Sequence, residues 1–309
     1  MQPNYKAFLK DIARTIDDER PITDPLRTLA LGTDASFYRL IPAIVVEVNT
    51  EAEVIEILRL AHLHRVHVTF RAAGTSLSGQ AVTDGVLVKL GPGWKEMEVL
   101  DNGDKLRVQP GVIGAHANRK LMPFQRKIGP DPASINACQV GGIVANNASG
   151  MCCGTAQNSY KTVDSMRVVL ADGTLLDTSS EESRARFRET HTELVQALED
   201  MRLAVADNAV LRGRIEKKFR IKNTTGYSLN AFLDYADPID ILMRLMVGSE
   251  GTLGFVSEVV YRTVEEHVHK ASALLMFADI EQTSKAVTAL SETPVTAVEL
   301  MDRAGLRSV

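Results

Sequence analysis

The sequence is poor in features that several classes of protein require. Aromatic residues make up 5% of the 309 residues, too few to predict a platform for base stacking. The formal net charge is −4, and no stretch is basic enough to follow a phosphate backbone. No apolar run approaches the ~20 residues of a membrane span. We therefore predict neither a nucleic-acid partner nor a transmembrane segment.

Cysteine is scarce too. Three cysteines cannot complete a disulfide framework, there is no C-x-x-C motif, and an iron–sulfur cluster normally requires four thiolates. We therefore interpret Cys138, Cys152 and Cys153 as buried free thiols and assign no metal ligand. We expect the histidines at positions 62, 64, 67, 267 and 269 to lie at the surface. The polar N-terminus has no signal-peptide core, so we expect a cytoplasmic protein. Peripheral association of the full-length protein with the inner membrane stays open.

Apolar spacing predicts a mixed α/β chain. Residues 5–16 have helical spacing, 24–42 is loop-like, and 43–48 is a strand. Thr50 and Glu53 form a capping-box pattern that opens a helix, and a second strand follows at 66–70. We predict further short strands at 85–90 and 105–112 and a helix at 114–122. A hairpin with Asp172-Gly173 at its turn and helical segments within 181–206 follow.

The segments 128–163 and 270–309 differ from the rest. The first is glycine-rich and nearly aperiodic, and a tract of this length is usually functional. The second reads as a strand at 270–278, a helix opened by Asp279 and a strand at 295–302, which is about half of a ferredoxin-like sandwich. The chain would then stop in the middle of a domain.

The loop FRAAGTSLSGQA follows the second predicted strand. Gly74 and Gly79 have the spacing of the triphosphate-binding P-loop, but Gln80 stands in place of its lysine and Ala81 in place of its magnesium-binding hydroxyl. Successive backbone N–H groups, with Gly74 at positive φ, can still form an anion-binding nest. The pattern favours a pyrophosphate that is bound but not cleaved, as in a dinucleotide cofactor. An ordinary strand-ending turn is the alternative.

Two further glycine-rich segments, GGIVANNASG (141–150) and GSEGTLGF (248–255), have the same character. The first predicts a small-residue strand against which a planar ligand could lie, or else a close-packed turn. The second carries Glu250 in an otherwise neutral loop and leads into a strand; a hairpin with a capping glutamate is the alternative.

Together, RAAGTSLSG, GPDPASINACQVGGIVANNASG, KNTTGYSLN and GSEGTLGFVSE resemble the FAD-linked oxidase superfamily, the group of vanillyl-alcohol oxidase and p-cresol methylhydroxylase. The resemblance covers roughly residues 30–309. It is strongest to bacterial D-lactate and D-2-hydroxyglutarate dehydrogenase-like proteins that contain FAD and an iron–sulfur cluster, and specifically to their N-terminal part. The same proteins are also resembled by two further segments, GTAQNSYKTVDSMRVVLADG and AVELMDRAGLRS.

The resemblance implies an α+β fold: a two-subdomain PCMH-type FAD-binding domain followed by the first half of a ferredoxin-like cap domain. Its boundaries would be an N-terminal helical segment at 1–35, the FAD-binding domain at 36–265 with subdomains of about 36–115 and 116–265, and a truncated substrate domain from 266 to 309.

The resemblance also implies a set of cofactor-binding residues in three groups. The pyrophosphate loop would comprise Arg71, Ala72, Ala73, Gly74, Thr75, Ser76 and Leu77. The flavin would be lined by Pro132, Ala133, Ser134, Ile135, Asn136, Ala137 and Cys138, with Ala145, Asn146, Asn147 and Ala148 beside it. Further contacts would come from Glu250, Gly251, Thr252, Leu253, Gly254, Phe255 and Val256.

The activity that the resemblance implies is oxidation of a D-2-hydroxy acid by hydride transfer to FAD. The loop 71–79 supplies no histidine or cysteine for covalent attachment, so the FAD is expected to be non-covalent. The catalytic base, a divalent metal and an iron–sulfur cluster are expected only in a missing C-terminal part, and the incomplete cap predicts self-association. The electron acceptor is unknown. Alternatives are an FAD-binding module without activity of its own, or another flavin oxidoreductase such as an enolpyruvyl-sugar reductase.

Overall fold

The computed structural model describes residues 2–17 and 20–308. The strands are β1 (Ile44–Val48), β2 (Val68–Arg71), β3 (Val86–Leu90), β4 (Met97–Leu100), β5 (Lys105–Val108), β6 (Arg126–Lys127), β7 (Val163–Leu170), β8 (Leu175–Asp177), β9 (Gly254–Arg262) and β10 (Val264–Glu265). The helices are α1 (Pro3–Ile12), α2 (Pro25–Leu31), α3 (Glu51–His64), α4 (Gly114–Leu121), α5 (Val140–Asn146), α6 (Ser159–Thr162), α7 (Glu181–Thr190), α8 (Thr192–Asp207), α9 (Ala209–Phe219), α10 (Ala231–Asp234), α11 (Pro238–Met246), α12 (Ile280–Ser291) and α13 (Arg303–Arg307).

The first sheet is parallel, with strand order β1-β3-β2. The predicted capping box opens α3: Thr50 accepts a hydrogen bond from the Glu53 backbone N–H at 3.3 Å, and the Glu53 carboxylate accepts one from Asn49 N at 2.6 Å. Helix α1 packs against α3, and its Tyr5 and Phe8 are buried with the sheet. The N-terminal segment is therefore integrated into this first core.

The second sheet is antiparallel, with strand order β4-β5-β9-β7-β8. The predicted hairpin is confirmed, since Val169 on β7 pairs with Leu175 on β8 around Gly173, whose φ is 87°. Helices α4, α5, α8, α10 and α11 contribute to the core on this sheet. Strands β4 and β5 belong to this sheet, so the chain passes from the first sheet to the second between Leu90 and Met97, earlier than the subdomain boundary expected near 115.

One end of the second sheet is packed into the core of the first. Phe255, the second residue of β9, lies with Val169 in the apolar cluster of the parallel sheet. Its ring centroid is 5.1 Å from that of Phe70 and 5.2 Å from that of Trp94. Because β2 ends and β9 begins at this contact, the loop after β2 and the loop before β9 lie close together.

Two predictions in the first half of the chain were wrong. The loop-like segment 24–42 contains α2, where Asp24 accepts a hydrogen bond from Arg27 N at 2.9 Å and Pro25 occupies the first turn. An aspartate before a proline is a favourable helix start, and its weight was underestimated. The small-residue strand expected within 141–150 is instead helix α5, which ends at Asn147 in the left-handed region.

The ferredoxin-like cap is not formed as expected. The helix opened by Asp279 is confirmed as α12, but no strand is formed at 270–278 or 295–302. Apolar side chains such as Leu274 and Met276 are exposed there, at 77% and 89%. A strand requires a hydrogen-bonded neighbour, and no described strand lies next to either segment. Within residues 2–17 and 20–308, no helix is both long and apolar enough to cross a membrane.

Candidate cofactor cleft

An open cleft of about 440 Å³ lies where the loop after β2, helix α5 and the loop before β9 meet. Its walls come mainly from residues 70–81, 132–149 and 249–256, with Lys222 and Thr224 at one side. The glycine-rich segments singled out in the sequence are thus brought together by the fold.

The first wall is the loop that leaves β2 at its carboxyl end. Gly74 has a φ of 69°, and its carbonyl accepts a hydrogen bond from Ala35 N at 2.9 Å. Arg71 is half-buried and donates from Nη1 to the Leu31 carbonyl at 3.0 Å. Burial lowers the pKa of Arg71, while the carboxylate of Asp34 opposes that shift. The guanidinium is the cation of this loop.

The second wall is formed by α5. A Cβ built on Gly142 would lie 3.7 Å from the Cβ of Ala72, an ordinary contact, whereas one on Gly141 would lie 2.8 Å from the Cβ of Pro110. Glycine at 141 therefore permits a close approach of this helix to the chain after β5. At the other end of α5, the side chain of Asn147 turns away from the cleft and accepts a hydrogen bond from Tyr160 N at 3.1 Å.

The third wall contributes Glu250, whose φ of 54° is in the left-handed region. Its Oε1 accepts hydrogen bonds from Asn146 Nδ2 at 2.6 Å and from Gln80 Nε2 at 3.2 Å. Its backbone N–H donates to the Ala145 carbonyl at 2.8 Å. Burial raises the pKa of Glu250, and the two amide hydrogen bonds oppose that rise.

Asp131 holds the turn that follows α5. Its carboxylate accepts backbone hydrogen bonds from Gly150 at 3.0 Å, Cys152 at 3.0 Å and Cys153 at 3.1 Å. Burial raises the pKa of Cys153, as it does for Cys138 in the cleft wall. All three cysteines are free; Cys138 and Cys153 are buried as predicted, but Cys152 is exposed. That part of the thiol prediction was wrong.

Most residues that the sequence nominated line the cleft. They are Arg71, Ala72, Ala73, Gly74, Thr75, Ser76, Leu77, Pro132, Ser134, Cys138, Ala145, Asn146, Ala148, Glu250, Gly251, Gly254, Phe255 and Val256. The nominated residues outside the lining are Ala133, Ile135, Asn136, Ala137, Asn147, Thr252 and Leu253. Ile135 and Leu253 pack against the core of the antiparallel sheet, and Thr252 bonds to the Ser249 carbonyl at 2.6 Å.

Other lining residues were missed by the sequence analysis, notably Gln80, Gln139, Lys222 and Thr224. Gln80 was noticed only as a missing lysine, although a polar residue directly after a binding loop was a usable signal. Lys222 lies in KNTTGYSLN, a motif that had been quoted without assigning a residue.

The electrostatic character of the cleft is set by few groups. Among the described lining residues, the charged side chains are Arg71, Lys222 and Glu250. None of the seven histidines is among them. Over residues 2–17 and 20–308, no group of three or more His, Cys, Asp or Glu side chains is placed to hold a metal ion. The cleft thus offers backbone amides, hydroxyls and amide side chains, with a net excess of one positive charge when Glu250 is ionised.

Comparison with known proteins agrees with this geometry. Residues 42–179 match a family described as "FAD binding domain". D-2-hydroxyglutarate dehydrogenase of Escherichia coli (strain K12) is 30% identical over 244 residues, covering 74% of this chain and 23% of that protein. The glycolate oxidase subunit GlcD of the same strain is 38% identical over 120 residues, covering 38% of this chain and 24% of that protein. The chain thus spans about a quarter of the length of these curated relatives.

The fold is similar to that of a solved structure of alkyldihydroxyacetonephosphate synthase. The TM-score is 0.56 at 16% sequence identity, over 84% of this chain and 40% of that one. At this identity the likeness concerns the fold alone.

Proposed function

We propose that this chain, whose residues 42–179 match the family described as "FAD binding domain", belongs to the FAD-linked oxidase superfamily and is the cofactor-binding part of a flavin-dependent dehydrogenase that oxidises a D-2-hydroxy acid. The single observation that carries the proposal is the convergence of three glycine-rich segments, two loops and helix α5, on one cleft. The relatives named D-2-hydroxyglutarate dehydrogenase supply the substrate class.

The cleft residues fit FAD at its diphosphate first. Gly74 has a positive φ, and Thr75 and Ser78 add hydroxyl donors on the same loop. Arg71 is held by its hydrogen bond to Leu31 and supplies a cation beside that loop. We assign the nominated residues of 71–77 to the diphosphate and those residues of 145–148 and 250–256 that line the cleft to the rest of the cofactor. When bound, the flavin supplies the hydride acceptor.

The remaining nominated residues take a supporting role in this proposal. Ala133, Ile135, Asn136 and Ala137 lie between the cleft-lining Pro132 and Cys138 and set the path of that segment. We retain the domain division as part of the proposal, with 36–265 for the cofactor and 266–309 for the start of a ferredoxin-like substrate domain.

A second candidate is a cofactor-binding module without turnover of its own. The cleft lining favours it, because no histidine lies there and no metal-ligand cluster exists among the described residues. Self-association through residues 270–308 is part of this candidate, since their apolar side chains are exposed.

The test is to purify the protein, denature it and analyse what is released. We expect about one FAD per chain in the soluble fraction. A colourless preparation that cannot be reconstituted with FAD would overturn the proposal, and flavin that stays on the denatured polypeptide would overturn its non-covalent part.

A further inference from the structure

We propose that Glu250 is a positioning residue whose single oxygen Oε1 locks the three walls of the cleft into one arrangement. The inference rests on the proposed function, in which this cleft takes FAD. Gln80 belongs to the first wall, Asn146 to helix α5 and Glu250 to the third wall, and they are distant in sequence. We call these three side chains the clamp.

Hydrogen bonds join Asn146 and Gln80 to Glu250 within the clamp. Asn146 Nδ2 lies 2.6 Å from Glu250 Oε1 and Gln80 Nε2 lies 3.2 Å from it. The Glu250 backbone is held separately, through its N–H on the Ala145 carbonyl at 2.8 Å. Glu250 is therefore tied to α5 through both backbone and side chain, whereas its tie to the first wall depends on Gln80.

The clamp continues into the proposed diphosphate loop. Ser76 Oγ donates to Gln80 Oε1, which leaves Gln80 Nε2 directed to Glu250. The same Ser76 Oγ accepts from Ser78 N at 3.3 Å. The Glu250 carboxylate on the third wall thus orients the Ser76 hydroxyl on the first wall, through the side-chain amide of Gln80.

Glu250 performs this role as a hydrogen-bond acceptor and not as half of an ion pair. The two cations that line the cleft are engaged elsewhere: Arg71 donates to the Leu31 carbonyl at 3.0 Å and Lys222 to the Gly150 carbonyl at 3.3 Å. The side-chain partners of Glu250 are instead the neutral amides of Gln80 and Asn146. Hydrogen bonds to a partly buried carboxylate are worth more than neutral ones, so a clamp of two amides can fix loop positions without a cation.

The geometry allows an exchange test. Gln80→Glu alone places two carboxylates together and should weaken FAD binding by about tenfold or more. Glu250→Gln alone keeps an oxygen acceptor for both amides but removes its charge, so it should weaken FAD binding less than Gln80→Glu does.

The double variant exchanges the two groups across the cleft. Both wild-type bonds end on the same Glu250 oxygen, so the amide introduced at position 250 must turn about its terminal torsion; its nitrogen then donates to the carboxylate introduced at position 80 while its oxygen accepts from Asn146. The carboxylate at position 80 can also accept from Ser76, as the glutamine oxygen does in the wild type. FAD affinity should then return to within about threefold of wild type.

Gln196→Ala is the matched control, because Gln196 Nε2 donates to the Asp200 carboxylate at 2.9 Å on an exposed face of α8, outside the cleft. It should leave FAD affinity unchanged. A cofactor contact made by Gln80 itself would not be restored by changing residue 250, so failure of the double variant to recover FAD affinity would overturn the clamp.

Hydrogen–deuterium exchange of the protein without FAD separates this inference from the proposed function. Gln80→Glu should speed exchange at 145–148 and 248–254, and the double variant should restore slow exchange. If the wild type fails to bind FAD but this pattern holds, the proposed function fails and the clamp stands. If the wild type binds FAD and neither affinity nor exchange is restored in the double variant, the clamp fails alone.

Discussion

The guanidinium of Arg71 fills the space into which any side chain at Gly74 would project. A Cβ built on Gly74 would lie 2.6 Å from Nε and 2.6 Å from Nη2 of Arg71. Gly74→Val should therefore displace Arg71, as well as strain a backbone whose φ is 69°. We expect FAD retention to be abolished while circular dichroism shows a folded protein.

Gly154→Val provides the control for this variant. Gly154 also has a positive φ, at 50°, but a Cβ there meets nothing within 4 Å. It should suffer the backbone strain, about 1–2 kcal/mol, without losing FAD. FAD affinity equal to wild type in Gly74→Val would contradict the assignment of this loop.

A second prediction concerns Asp131. Asp131→Ala leaves three backbone N–H groups of the 150–153 turn without their acceptor. We expect a loss of about 2–4 kcal/mol in the free energy of unfolding, measured by urea titration, because charge-assisted hydrogen bonds to a partly buried turn are lost together. Alkylation of Cys153 should accelerate at the same time.

Asp302→Ala is a suitable comparison, since Asp302 caps the exposed helix α13 by accepting from Gly305 N at 2.7 Å. It should cost no more than about 1 kcal/mol. Equal losses in the two variants would show that the three bonds to Asp131 stabilise the fold no more than a single exposed helix cap does.

The third prediction concerns pH. The folded-state pKa of Glu250 is raised, chiefly by burial, so the folded protein binds a proton there more tightly than the unfolded chain does. This contribution to stability is present at low pH and is lost as pH rises from the unfolded pKa of about 4.3 through the raised folded value. Glu250→Gln removes it, so the stability of the variant relative to wild type should increase across that window.

Urea unfolding of both proteins from about pH 4 to about pH 8 measures this difference. The cleft's other charged side chains, Arg71 and Lys222, are common to both proteins and cancel in the comparison. A constant difference across the range would mean that Glu250 titrates in the folded protein as it does in the unfolded chain.

The fourth prediction is that this chain alone reduces its flavin slowly with 2-hydroxy acids. A positioned general base typically contributes about 10²–10⁴-fold, and no histidine lines the cleft to serve as one. Anaerobic bleaching with D-lactate and with D-2-hydroxyglutarate, followed separately, tests this. Rapid bleaching with either acid would place the catalytic groups within these 309 residues.

The sequence predicted those parts of the fold that local patterns determine. The β1–α3–β2 unit followed from apolar periodicity and from Thr50, whose capping bond is made within one turn. Helix α5 was missed because the glycines at 141 and 142 were interpreted as part of a small-residue strand, while the close approach to Pro110 that requires glycine is a tertiary contact. Residues 270–278 show the converse: a strand-like composition forms no strand without a neighbouring strand.

The candidate site, too, could be predicted from the sequence only where local patterns determine it. The loop around Gly74 was predictable because glycine spacing and positive φ are local properties. The meeting of Gln80 with Glu250 was not, because it depends on how β2 and β9 are brought together by packing between the sheets.

The burial of Phe255 in the core of the parallel sheet has a consequence for folding. One aromatic residue of the antiparallel sheet completes the apolar cluster of the other, directly after a loop that lines the cleft. The parallel sheet should therefore not fold autonomously: a fragment ending near residue 115 would leave Phe70 and Trp94 without a partner ring. Melting of the chain should be a single cooperative event, and any ligand that tightens the loop before Phe255 should raise the melting temperature of both sheets together.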